Sequence, residues 1–463
     1  MGCYNGNVYI INIDEKKSLL FDYENLNLAV INGDGNKIEE SQYNRIIHEL
    51  CSHKEMNYND ALPDEDNLVS LVICSTEKCN LKCSYCFANK GNYNSDGKKD
   101  IIRIDEYKNM YDKVVELFPK GVQTIQFFGG EPLIAFSDIK EFVLYVESKS
   151  KETGHLPIFS MISNGVLLTK EVIDFINEHH IFLTISVDAN KEIHDMYRRD
   201  HNNCGSYDRI LHNMEYIKQI EDKNFICTCE STIGIGYLMN YKKGDFDSYY
   251  ESFREMGFDS VATFVVDDNT KITENFQKQI ELFYKDMVDY VFKQLLVYTE
   301  PKKVPPFVID LINNIVTKRR KRECRVGKTT LFYTAGGDLY PCSMFYMMKR
   351  DKLGNLYKNY DNVKMNMHNL KKVCRSDIDS CRSCFCKNLC QEWCEGSSLL
   401  NTGKRDDVIQ TRCIVQRSMT EQVLYNLIKV KQDPKQYKSF QKNLIETSHY
   451  YSMTYLSSTA AVR

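Results

Sequence analysis

The sequence predicts an α/β protein, with a mostly parallel sheet covered by helices, a small α+β unit before it and a cysteine-rich unit after it. Three observations carry that reading. Between Leu68 and Val266 six apolar runs alternate with stretches of helical periodicity. Ahead of Leu68, short strand-like runs separated by turn residues lead into one helical stretch. Beyond residue 322, nine of the 18 cysteines crowd between Cys324 and Cys413. A chain of 463 residues is also too long for one ordinary core, so several units are expected.

Residues 1–67 form the first unit. "NVYIINI", "SLLFDY" and "NLAVIN" read as strands and "IEESQYNRIIHEL" as a helix. Thirteen acidic residues against five basic ones fit either a solvated accessory domain or a module that docks a partner. Residues 68–300 form the second unit. Its strands are "LVSLVIC", "VQTIQFF", "IFSMIS", "IFLTISV", "FICTCEST" and "SVATFVV", apolar enough for burial on both faces of a parallel sheet. Tyr107, Tyr111, Val114 and Phe118 mark one helix between them. Ile139, Phe142, Val143 and Val146 mark another, and Ile210, Leu211, Met214 and Ile217 a third. Pattern alone fits an open sheet or a partial barrel. A long helix from about Thr273 to Tyr298 follows, then a basic linker over 301–323 containing "KRRKR", the cysteine-rich unit over 324–415 and a helical tail over 416–463.

A net charge of −3 does not suggest nucleic-acid binding. No apolar run approaches the roughly 18 residues of a membrane span. "MGCYNGNVYIIN" has no basic segment followed by an apolar stretch and a cleavage site, so a cytoplasmic location is expected. In a reducing compartment, 18 cysteines point to metal or catalysis rather than to disulfides.

"CNLKCSYCF" places Cys79, Cys83 and Cys86 directly after the first strand, at the carboxyl end where open α/β folds build their sites. Thiolates select zinc, copper or iron–sulfur. A structural zinc asks for four closed ligands. Three thiolates in one loop suit a cube of four irons with one iron open to a small chelating molecule, and a zinc knuckle completed by a distant residue is the alternative. Further polar motifs end the next strands: "FFGGEP" at 127–132, "SNG" from Ser163, and "SVDA" from Ser186 followed by "HDMYRR".

In this order the motifs resemble the radical S-adenosylmethionine enzymes over residues 68–270. The resemblance implies a partial (β/α)6 barrel. It implies that Cys79, Cys83 and Cys86 hold a [4Fe–4S] cluster whose open iron binds the methionine part of S-adenosylmethionine. Tyr85 matches an aromatic near adenine. Gly129, Gly130 and Glu131 match the motif that receives the methionine amino group, where paired glycines let backbone come close. Ser186 matches a serine that contacts the cofactor, and Arg198 an arginine that meets its carboxylate with a planar fork of donors. Ser163 and Asn164 resemble a polar pair at the mouth of the site. One-electron cleavage of the cofactor then gives a 5′-deoxyadenosyl radical that takes hydrogen from a substrate carbon.

The second cysteine field is similar to the SPASM extension of such enzymes, with "GGDLYPCSMF" and "LGNLY" matching its hairpin and next strand. By that resemblance Cys324, Cys342 and Cys394 serve a first auxiliary [4Fe–4S] cluster, and Cys381, Cys384, Cys390 and Cys413 a second, for three clusters in all. A zinc ribbon at Cys381, Cys384, Cys390 and Cys413 would leave the other thiols stranded. Some relatives carry a further cysteine before the position of Cys324, where this chain has "TKRRKRE". The first auxiliary cluster is therefore either open to a substrate thiolate or closed by Cys374 or Cys386. Maturases that make formylglycine carry an Asp, their base, after the position of Cys342, where this chain has Ser343.

The expected function is thioether crosslinking of a ribosomally made, cysteine-rich precursor peptide with a leader. The first unit resembles a leader-recognition element, and the electron donor would be a flavodoxin or ferredoxin. Formylglycine formation, carbon–carbon crosslinking and epimerisation are the alternatives within the superfamily, and a non-catalytic electron carrier is the alternative from another class.

Overall fold

The computed structural model describes residues 3–37, 40–52, 67–93, 100–266, 272–297, 304–321, 324, 326–360 and 362–455. The ends of the expected linker, at 301 and 323, and Tyr298 lie outside these residues.

The N-terminal unit is an antiparallel sheet of β1 (Cys3–Asn5), β2 (Val8–Asp14), β3 (Lys17–Asp22) and β4 (Asn27–Asn32), followed by α1 (Glu40–Ser52). Alternating side chains give it two apolar faces. Val8, Ile10 and Leu20 pack with Leu50 of α1. Tyr9, Leu19 and Phe21 belong instead to the main core, and the Tyr9 ring stacks on Phe385 at 3.8 Å. Lys387 pairs with Glu24, and Asn388 donates to the Tyr23 carbonyl at 2.8 Å. The small sheet is thus joined to the cysteine-rich unit.

The six predicted strands are present as β5 (Leu68–Thr76), β6 (Val122–Gly129), β7 (Ile158–Ser163), β8 (Phe182–Ser186), β9 (Cys227–Ile233) and β10 (Ser260–Val265), all parallel and adjacent in chain order. Helices α2 (Ile104–Leu117), α3 (Phe136–Thr153), α4 (Lys170–Glu178), α5 (Lys191–Tyr197), α6 (Tyr207–Lys218), α7 (Ile235–Leu238) and α8 (Asp245–Glu255) connect them. Tyr107, Met110, Tyr111 and Val114 form the buried stripe of α2, as the periodicity predicts, whereas Leu211 of α6 faces solvent.

After α9 (Glu274–Leu296) and α10 (Pro306–Val316), the chain returns to the same sheet. β11 (Thr330–Tyr333) runs parallel to β5, with Thr330 opposite Ser70 and Tyr333 opposite Ile73. β12 (Asp338–Tyr340) and β13 (Gly354–Asn355) extend the sheet to nine strands. The remaining helices are α11 (Ser343–Met347), α12 (Asn362–Asn369), α13 (Asp379–Arg382), α14 (Glu395–Thr402), α15 (Gln410–Lys431) and α16 (Pro434–Tyr455). An aromatic core of Tyr93, Phe332, Tyr340, Phe345 and Tyr346 fills the junction, with Cys86 packed on one side and Cys324 and Cys342 on the other. Among the described residues, no helix is long and apolar enough to cross a membrane.

Phe332 is fully buried at this junction. Phe332→Ala should lower the unfolding free energy by about 3–5 kcal/mol. Urea midpoints of the anaerobically prepared protein measure this.

Candidate active site

The first cysteine loop is fastened to the glycine turn after β6 by backbone bonds. Gly130 N–H donates to the Thr76 carbonyl at 2.7 Å, and Glu131 N–H to the Lys78 carbonyl at 2.8 Å. Only glycine fits there. A Cβ on Gly130 would lie 2.2 Å from the Lys78 carbonyl oxygen, and one on Gly91 2.8 Å from the Cys79 Cβ, with Gly91 at φ +88°. From behind, Lys82 N–H donates to the Arg199 carbonyl at 2.7 Å and Ser84 N–H to the Tyr197 carbonyl at 2.9 Å.

All three thiols are half-buried. Burial pushes Cys79 up to about 12, although the Leu81 N–H approaches its sulfur at 3.4 Å. Burial also raises Cys83, against the pull of Arg198. Thiolates crowded in one loop repel one another, and bound iron takes the protons' place and supplies the positive charge that holds them together. The donor set and the glycine cradle therefore fit a [4Fe–4S] cluster. Among the described residues, no three His, Cys, Asp or Glu side chains converge closely enough to hold a single ion. A cube bonds its thiolates at separate corners and asks for a wider spread.

Gly129, Gly130, Tyr85, Ser186 and Arg198 line one cavity together with Cys79, Cys83 and Cys86. Glu131 does not belong to that wall. Its carboxylate is fully buried behind the glycine turn. It accepts from Leu133 N–H at 3.1 Å, Ser163 Oγ at 2.8 Å and Asn164 N–H at 2.7 Å. Burial pushes this carboxyl up to about 7, with those three donors pulling the other way. Glu131, expected beside the methionine amino group, stands behind the glycine turn in this structure. Glu131 braces Ser163 and Asn164, which do line the cavity, and Asn164 Nδ2 reaches Asn80 at 2.7 Å. Two carboxylates escaped the sequence reading. Asp188, two residues after Ser186, pairs with Arg198 at 3.0 Å. Glu230 on β9, opposite Ser186 in the sheet, lines the cavity.

The same cavity, of about 1230 Å³, continues to Cys324, Cys342 and Cys394. Cys342 is raised first by burial and then by Cys394 and Cys324. Ser343 and α10 residues complete the wall. A second, smaller cavity is lined by Cys381, Cys384, Cys386, Cys390 and Cys413. Burial raises Cys413 to about 12, with Cys390 adding to it, whereas a hydrogen bond from Cys386 and the charge of Arg417 draw Cys384 down to about 6. Cys390 and Cys394 touch both cavities. Cys386, one of the two thiols offered as the alternative to an open first group, sits with the second. Cys374, the other, lines neither cavity. From the basic run, Arg319 and Lys321 line the large cavity, and Lys321 is paired with Asp310. Arg322 lies outside the described residues.

Residues 73–239 match the radical SAM superfamily, so the chain carries a radical SAM domain. A cysteine-type anaerobic sulfatase-maturating enzyme of Clostridium novyi (strain NT) is 25% identical over 369 residues, covering 74% of this chain and 92% of that one. The radical SAM cyclopropyl synthase TigE of Paramaledivibacter caminithermalis is 24% identical over 236 residues, 47% of this chain and 48% of its own. The solved structure of native anSMEcpe with bound AdoMet and Cp18Cys peptide has the same fold, with a TM-score of 0.61 and 22% identity over 79% of this chain and 99% of that one.

Gly130→Ala should part the two loops and lower the iron content of the purified protein. Gly236→Ala, whose nearest neighbour would be the Tyr197 hydroxyl at 3.7 Å, should leave it unchanged. Iron and sulfide assays on the two variants make the comparison.

Proposed function

We propose that the chain is a radical S-adenosylmethionine enzyme that crosslinks a ribosomally made, cysteine-rich precursor peptide through thioether bonds. The observation that carries this is the single cavity with Cys79, Cys83 and Cys86 at one part of its wall and Cys324, Cys342 and Cys394 at another, and with Cys374 and Cys386 outside it. Cys390 reaches the same wall but is assigned with Cys381, Cys384 and Cys413, so the three thiols at the second position leave room for a fourth from the substrate, since a thiolate is the ligand such iron prefers.

In this reading Cys79, Cys83 and Cys86 hold the first [4Fe–4S] cluster, and Cys324, Cys342 and Cys394 the first auxiliary one. Cys381, Cys384, Cys390 and Cys413 hold the second auxiliary cluster. Tyr85, Gly129, Gly130, Ser186 and Arg198 surround S-adenosylmethionine. When bound, these groups supply a 5′-deoxyadenosyl radical that removes hydrogen from carbon. The chain's own part is placement. Arg198 offers guanidinium donors to a carboxylate, the glycine turn lets the ligand meet backbone, and the buried walls exclude water. The N-terminal sheet, with β4 at one edge, accepts the peptide leader as an added strand. A flavodoxin or ferredoxin delivers electrons, and the setting is the cytoplasm.

A second reading, formylglycine formation, is favoured by the similarity to cysteine-type sulfatase maturases along 74% of the chain. Against it stands Ser343, which lines the cavity directly after Cys342. A hydroxyl is a poor base without an activating partner.

Anaerobic incubation with dithionite, S-adenosylmethionine and the co-expressed precursor separates the readings. Thioether formation yields 5′-deoxyadenosine and a peptide lighter by two hydrogens per link, with the cysteine blocked to alkylation. An aldehyde in the product establishes the second reading, and the absence of 5′-deoxyadenosine makes the chain an electron carrier.

A further inference from the structure

Asp188 is fully buried just beyond the end of β8, and both its oxygens are saturated. Oδ2 accepts from Arg198 Nε at 3.0 Å and from the Tyr85 hydroxyl. Oδ1 accepts from Arg198 Nη2 at 3.2 Å and from Thr232 N–H at 3.0 Å. The backbone of Asp188 is tied to Arg198 as well. Its N–H donates to His194 Nδ1 at 3.2 Å, and His194 Nε2 meets Ser206 Oγ at 2.8 Å. Ser206 Oγ in turn donates to the Arg198 carbonyl at 3.1 Å. Arg198 is therefore held at its side chain by Asp188 directly and at its main chain through His194 and Ser206.

That arrangement has two consequences. A guanidinium has five N–H donors in a rigid plane. Asp188 engages Nε and Nη2, and the remaining donors belong to a side chain that lines the cavity beside Cys83 and Ser186. The second consequence is charge. Paired to a buried carboxylate, Arg198 is part of a neutral unit whose fork is fixed in orientation. A neutral unit with donors still to offer suits a ligand end that is itself zwitterionic, carrying a carboxylate next to an ammonium. Tyr85 enters the same unit, with its hydroxyl on Asp188 and its ring 5.2 Å from the Arg198 guanidinium carbon.

We propose that Asp188 is the positioning residue of this pocket: it locks Arg198 and Tyr85 so that the pocket selects the zwitterionic amino-acid end of its nucleotide ligand. This rests on the radical S-adenosylmethionine reading. Asp188 need not touch the ligand, and it acts through Arg198.

The test is equilibrium binding to the anaerobically prepared, iron-loaded protein, with S-adenosylmethionine and with its decarboxylated analogue as probes. The unaltered protein should prefer the carboxylate-bearing probe by about tenfold or more, the worth of a hydrogen bond to a charged group. Asp188→Asn, matched for iron content, should bind both probes alike. Arg198→Lys keeps a cation beside Asp188 but has no planar fork, so it should lose the preference too. It also serves if the asparagine variant does not retain its iron. Full preference in either variant overturns the proposal. Failure of the unaltered protein to bind either probe overturns the radical S-adenosylmethionine reading, and the proposal with it.

Discussion

The pairing of β11 with β5 is the constraint on which the rest of the molecule depends. β5 delivers the chain to the first cysteine loop within three residues of its end. β11 opens the hairpin that delivers Cys342 two residues after β12. The ladder between Thr330–Tyr333 and Ser70–Ile73 makes these neighbours in one sheet, though more than 250 residues separate them in the chain. Val69 and Ser70 N–H both donate to the Thr329 carbonyl, at 3.0 and 3.1 Å, so the register is pinned at its start as well. Tyr346, one turn beyond Cys342, bonds to Glu77 beside the first loop. Two sulfur-rich sites are thereby fixed on the wall of a single cavity, whose depth comes from the aromatic core beneath.

Around that cavity the polar groups are committed to one another. Glu131 is used up by Ser163, Asn164 and Leu133, and Asp188 by Arg198, Tyr85 and Thr232. In a dry interior an unpaired polar group is costly and a complete network is rigid. Such rigidity serves radical chemistry, in which the reacting carbon must be held against the hydrogen it takes and water kept away. The glycine cradle acts in the same direction, since any side chain at Gly130 would force the backbone of the first loop outward.

Much of the fold was legible because the six central strands are continuous apolar runs, and burial on both faces leaves little ambiguity about what such runs become. The pairing of β11 was not legible. "TLFY" is only four residues long, and its partner is set by tertiary packing. The small N-terminal sheet read as a separate unit because its second apolar face, Tyr9, Leu19 and Phe21, looks like any strand interior until the surface it covers is seen. In the site, the cysteines and glycines were legible, since few other residues do their work. The brace that Glu131 forms with Ser163 and Asn164 was not legible, since only the fold brings β7 against the glycine turn. Asp188 was invisible for the opposite reason: its meaning lies in Tyr85 and Arg198, which the fold brings to it. Spacing left Cys374 and Cys386 equivalent, and the chain's path through α13 separates them.

The central claim is that Cys79, Cys83 and Cys86 hold an iron cube with one corner open to S-adenosylmethionine. Electron paramagnetic resonance of the reduced protein, recorded before and after adding S-adenosylmethionine, tests it most directly alongside a variant with all three cysteines changed to alanine. The unaltered protein should give a spectrum altered by S-adenosylmethionine. The variant should carry about four fewer irons per chain and show no response to the ligand. An unchanged spectrum, or stoichiometric zinc lost with the same three cysteines, would contradict it.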